Sequence, residues 1–161
     1  MASAAPEPVT TASSLPGVLA AVVPDLRRIC RDPWGVIGSA AAWLVGAKVS
    51  VADVDFLTSA RDAKALGERW HARLDNRYVP EGSNRFRSHF ARFVFPGLPV
   101  EVMGKLEVHG ADGWMPVKID QLMTINCAGE GVPIPSMAEQ IRILNYLDAR
   151  RICNVSVCWN H

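Results

Sequence analysis

The chain has 161 residues, enough for one ordinary domain and too few for two good cores. Apolar residues at 49% and charged residues at 20% describe a globular protein rather than a fibrous or disordered one. Seventeen basic residues against sixteen acidic leave a net charge of +1, so no global field points to nucleic acid as the partner.

Residues Met1 to Ser14 are rich in Ala, Ser, Thr and Pro without periodicity and read as a disordered leader. A helix is predicted from about Gly17 to Arg31, broken or restarted at Pro24, with Leu19, Val22, Val23, Leu26 and Ile29 on one face. The apolar stretch Leu15–Val23 is interrupted by Pro16 and Gly17 and preceded by Glu7 without Lys or Arg, which is not the pattern of a signal peptide. No apolar run reaches the about 18 residues that a membrane span needs. A cytoplasmic protein with no membrane partner is the expectation.

Trp34 to Ile37 reads as a short buried strand that runs into Gly38-Ser39. Ala40 to Val45 reads as a helix with Gly46 as its C-terminal cap. Val49 to Leu57 reads as an alternating strand. Ser59 to Asp75 reads as a helix capped by Ser59, with Ala63, Leu66, Trp70 and Leu74 on one face. Tyr78 to Asn84 is loop. Ser88–Phe95 and Pro99–Met103 form a hairpin around Phe95-Pro96-Gly97-Leu98, and Leu106–His109 pairs with Trp114–Ile119 across a second turn. Val132–Pro135 is extended. Ser136 caps a last helix to about Arg151, with Glu139 completing a capping box and Ile141, Leu144, Leu147 and Ile152 on its apolar side. The order implies an α+β fold: a mixed sheet with flanking helices, in one domain spanning residues 15–161.

The chemistry concentrates in three places. Asp53 and Asp55 stand two apart on a strand and so project from one face, about 7 Å apart at the backbone. Two such carboxylates repel unless a cation lies between them, and Mg²⁺ is a hard ion that takes carboxylate and phosphate oxygens. Gly38-Ser39 sits at a strand-to-helix junction, where a missing Cβ admits a phosphate and a hydroxyl can bind it. Thirteen residues separate Ser39 from Asp53, enough for one helix and a return to a neighbouring strand. Glu101 is the lone charge in the apolar strand Pro99–Met103 and projects opposite Val100 and Val102, where it can join the pair.

Each feature has a plainer reading. An acidic pair can be a solvated edge, Glu101 a solvent-facing residue and Ser39 a helix cap. Arg85, Arg87, Arg92 and Lys105 form either a basic rim or a solvated hairpin face. Trp34, Trp43 and Trp70 read as core, and Trp114 as hairpin surface or a stacking platform. His71, His89 and His109 carry no pattern. Cys30, Cys127, Cys153 and Cys158 contain no C-x-x-C pair, and the Cys153, Cys158, His161 spacing does not suit zinc, so they read as thiols.

Taken together, Ile37-Gly38-Ser39, then Asp53-Val54-Asp55-Phe56, then Glu101, resembles the nucleotidyltransferase superfamily that shares its fold with DNA polymerase beta. Within it the chain is most similar to the small bacterial antibiotic adenylyltransferase-like and toxin-like branch. The core of the resemblance covers roughly residues 30 to 105. It implies Asp53, Asp55 and Glu101 as ligands of Mg²⁺ (Mn²⁺ as the substitute), with Glu101 third ligand or general base. It implies Gly38, Ser39 and the nearby cation Lys48 on the phosphates of ATP or another nucleoside triphosphate. The implied reaction is attack of an acceptor hydroxyl on the α-phosphorus with release of pyrophosphate. The acceptor would be a small molecule, a protein or a tRNA end, and a homodimer could complete its site. The alternative is a degenerate domain of the same fold that binds a partner protein.

Overall fold

The computed structural model describes residues 14–79 and 85–147. The predicted leader up to Ser13, the predicted tail of the last helix, Cys153, Cys158 and His161 lie outside them. Helix α1 (Leu15–Ile29) runs through Pro24 without a break. Strand β1 (Gly35–Ile37) leads directly into α2 (Gly38–Leu44), and Gly46 follows in the left-handed conformation as the sequence suggested. Strand β2 (Val54–Thr58) is shorter than predicted, because Val49–Asp53 forms the connection from α2 and not strand. Helix α3 (Ala60–Arg69) is capped by Ser59, whose hydroxyl accepts the Asp62 N–H. It stops six residues before the predicted end, and a 3₁₀ turn at His71–Arg73 turns the chain so that Leu74 bridges Phe93.

Strands β3 (Phe86–Phe93) and β4 (Val100–Gly110) form the first predicted hairpin, and β5 (Gly113–Pro116) returns along the end of β4. The sheet order is β1-β2-β4-β3, with β2 and β4 parallel and the other neighbours antiparallel. Sequence reading missed β6 (Leu122–Cys127), which pairs with β7 (Glu130–Pro135) as a separate ribbon. Its half-exposed residues carry no clean alternation.

Helix α4 (Met137–Leu147) follows Ser136. The Ser136 hydroxyl accepts the Glu139 N–H, but the Ser136 N–H goes to the Gln121 carbonyl. Glu139 turns instead to the Asp120 N–H and Arg142, so only half of the expected capping box forms. Gln140 and Ile143 of this helix are buried, while Ile141, predicted inward, is exposed.

The sheet has two unequal faces. Val54, Phe56, Val100, Val102 and Phe93 join α1 and the Ala63, Leu66 and Trp70 face of α3 in the main core. Gly104 lets α3 lie directly on β4: a Cβ there would stand 2.5 Å from that of Ala63. Ile37, Leu57, Leu106, Val108 and Ile143 form a smaller cluster on the other face. Trp70 is buried, and Trp34 and Trp43 are half-buried against the main core. Burying a side chain such as Phe56 or Phe93 contributes about 1.5–3 kcal/mol.

Candidate metal and nucleotide site

The alternation that buries Val54 and Phe56 turns Asp55 to the opposite face. The same holds for Glu101 between Val100 and Val102. Because β2 and β4 are parallel and in register, Asp55 and Glu101 are direct neighbours. Asp53, the residue before β2, joins them, and one carboxylate oxygen of each of the three lies within 4.8 Å of the others. At that distance, with an effective dielectric of about 20, two full charges repel by about 3.5 kcal/mol. Such a cluster demands positive charge.

The donor set is all carboxylate oxygen, which suits a hard divalent cation. The backbone leaves room for the Asp55 carboxylate. Gly38 has φ +69°, and a Cβ there would sit 2.9 Å from Asp55 Oδ2. The first residue of α2 is therefore glycine for two reasons: the left-handed backbone and the close carboxylate. Ser39 is the second residue of α2 and half-buried; the residue before the helix is Ile37, so Ser39 is not its cap. Lys48 lies exposed in the connection between α2 and β2, five residues ahead of Asp53.

Two of the hairpin arginines, read as a basic rim or a solvated face, part company. Arg92 turns onto the carboxylates. Its Nη1 donates to Glu101 Oε1 at 2.6 Å and lies 3.7 Å from Asp53 Oδ2, while its Nε is 3.9 Å from Asp75 Oδ2. The guanidinium also lies over the Tyr78 ring, 4.2 Å from its centroid. Burial and the charge of Glu101 push the Tyr78 hydroxyl pKa up, against the opposing pull of Arg92. Arg87 instead pairs with Glu107 and covers a face of Trp114, against whose ring the His109 imidazole packs edge-on. Trp114 is thus engaged with its own hairpin. Asp75 and Tyr78 carried no signal in the sequence as site neighbours.

A hollow of about 120 Å³ lined by Trp34, Leu57, Thr58, Val117, Ile119 and Leu122 lies at the other end of β2 and holds none of these carboxylates. No helix among the described residues is long and apolar enough to cross a membrane.

No protein-family model and no curated protein sequence matches the chain. Solved structures do. A Thermotoga maritima protein assigned provisionally to the nucleotidyltransferases superimposes with a TM-score of 0.70 at 22% identity, covering 89% of this chain and 92% of its own. A lincosamide antibiotic adenylyltransferase with lincomycin bound gives 0.55 at 11% identity, over 86% and 94%. An antigenic nucleotidyltransferase-like protein from Paracoccidioides brasiliensis gives 0.50 at 14% identity, over 89% and 72%. The chain therefore has the nucleotidyltransferase fold, with an acidic triad on it that can hold a metal ion.

Proposed function

We propose that this protein is a Mg²⁺-dependent nucleotidyltransferase that moves a nucleoside monophosphate from a nucleoside triphosphate, ATP first among them, to an acceptor hydroxyl, in the cytoplasm. The observation that carries this reading is the gathering of Asp53, Asp55 and Glu101 within 4.8 Å beside the Cβ-free Gly38, on this fold.

Asp53 and Asp55 would hold the cation, with Glu101 as third ligand or as the base that takes the acceptor proton. When bound, a divalent ion supplies positive charge to the α-phosphate and to the departing pyrophosphate. Gly38 keeps side-chain bulk away from the phosphates, and Ser39 offers them a hydroxyl. Lys48 would reach the triphosphate from the adjoining connection. The buried Val100 and Val102 fix the strand from which Glu101 projects toward the site.

The test is thermal unfolding with each nucleoside triphosphate in Mg²⁺ or Mn²⁺, followed by assay for pyrophosphate with candidate hydroxyl acceptors. The expected result is a raised Tm with ATP and Mg²⁺ that vanishes in the Asp53→Asn, Asp55→Asn double variant. If no triphosphate shifts Tm with either metal, the reading fails. Binding without pyrophosphate from any acceptor would support the alternative, a binding module of the same fold.

A further inference from the structure

We propose that Arg92 is a built-in counter-cation of the acidic triad, one that competes with the divalent ion for Glu101 and Asp53 and so sets how tightly metal binds. The inference rests on the reading of Asp53, Asp55 and Glu101 as the metal site. It goes beyond that reading by giving the chain its own competitor for the site.

The geometry is specific. Register places Arg92 directly opposite Glu101 on the neighbouring antiparallel strand. One guanidinium nitrogen serves both Glu101, at 2.6 Å, and Asp53, at 3.7 Å. Those two residues are also two of the three candidate ligands. A cation and a guanidinium cannot both draw on the same carboxylates at full strength, because each positive charge raises the energy of the other nearby. The arginine is not stranded when it yields. Its other edge faces Asp75 at 3.9 Å, and its plane is supported by the Tyr78 ring. These contacts provide a place for the side chain to rest once Glu101 turns to metal. A strand position with only 19% of the side chain exposed keeps Arg92 from simply swinging into water.

Two roles of opposite sign are separated by one measurement. An arginine that only holds Glu101 in position would, on removal, weaken metal binding. A competitor would, on removal, strengthen it. Isothermal titration of Mn²⁺ alone into the full chain is compared for wild type, Arg92→Gln and Arg92→Lys. The expected result is binding at least about tenfold tighter in Arg92→Gln, with Arg92→Lys in between because it keeps the charge without the fork. In parallel, the Arg92 Nε resonance of wild type, assigned by its loss in Arg92→Lys, shifts as Mg²⁺ is added and does not shift in the Asp53→Asn, Asp55→Asn variant. Equal or weaker Mn²⁺ binding by Arg92→Gln, with wild type still binding, overturns the inference and leaves the proposed function standing. Absence of Mn²⁺ binding in every form overturns both. Should Arg92→Gln not fold, the wild-type resonance decides: an Nε signal unmoved at saturating Mg²⁺ overturns the inference.

Discussion

Replacing Gly38 by alanine tests whether the glycine at the head of α2 serves the backbone alone or also the carboxylates. At φ +69° an L-residue costs roughly 1–2 kcal/mol. For a chain of this size that lowers Tm by about 3–6 °C. The new methyl adds a second effect. Its carbon would stand 2.9 Å from Asp55 Oδ2, so the carboxylate must retreat by about half an ångström to reach ordinary contact. A misplaced ligand or ligand support loses roughly tenfold or more in metal affinity. Gly129→Ala separates the two effects: its φ is +79°, and no atom lies within 4 Å of the added Cβ. Thermal unfolding should show comparable losses in both variants, while Mn²⁺ titration should show weakened binding in Gly38→Ala alone. Equal Mn²⁺ affinity in the two variants would refute the claim that Gly38 makes room for a metal-binding Asp55.

The fold itself offers two further checks. Asp62 is buried, and its Oδ2 accepts the N–H groups of Asp32 at 2.7 Å and Arg31 at 3.1 Å, which pins the end of α1 to the start of α3. Burial alone would raise its carboxyl, but the two backbone hydrogen bonds and the Arg61 charge outweigh it and hold the pKa below the ordinary value. A folded pKa lower than the unfolded one contributes stability at neutral pH, lost as pH falls through the carboxyl range. Asp62→Asn should therefore cost about 1.5–3 kcal/mol at pH 7, with the gap to wild type closing below about pH 4. A gap unchanged between pH 7 and pH 3 in urea unfolding would contradict this. Cys30 gives the other check. Burial, then the charges of Asp62 and Asp32 against a hydrogen bond with Thr58, push its thiol up to about 11. Iodoacetamide at pH 8 should leave Cys30 unlabelled in the folded chain and label it in urea, read by peptide mapping. Equal labelling in both states would refute the assignment.

The carboxylate pair and the glycine turn were legible because local rules decide them. The two-residue spacing keeps the carboxylates together even though Asp53 stands just before β2, and a glycine at a strand-to-helix junction marks the left-handed backbone found at Gly38. The partner of Glu101 was legible too, though not read from the sequence. Counting outward equally from the centre of Pro96-Gly97 brings Arg92 opposite Glu101, the pair the structure contains. The sequence reading instead groups Arg92 with Arg85, Arg87 and Lys105, as a basic rim or a solvated hairpin face, because charge clusters are ordinarily solvated. What sequence could not supply was the parallel register of β2 with β4, a contact across 46 residues that brings Asp55 beside Glu101. Nor could it supply the turn after α3 that carries Asp75 and Tyr78 to the same place.

Strand β4 shows how the site and the second cluster share a sheet. The sequence reads as two strands, Pro99–Met103 and Leu106–His109, parted at Gly104-Lys105, although the apolar residues keep even positions throughout. The structure keeps one strand, and a bulge in it reverses which face the even positions meet. Between the Arg87–Glu107 and His89–Gly104 pairs, β4 carries one residue more than β3, and Lys105 takes φ +53°. Val100 and Val102 thus face the main core, while Leu106 and Val108, also at even positions, face the smaller cluster with Ile37 and Leu57. Without the bulge a strict alternation would put Leu106 on the side of Val102 and expose Lys105 and Glu107 to the smaller cluster instead. The apolar residues that cover the far end of this face and the carboxylate that arms its near end can coexist on one strand only because its pleat is reversed between them.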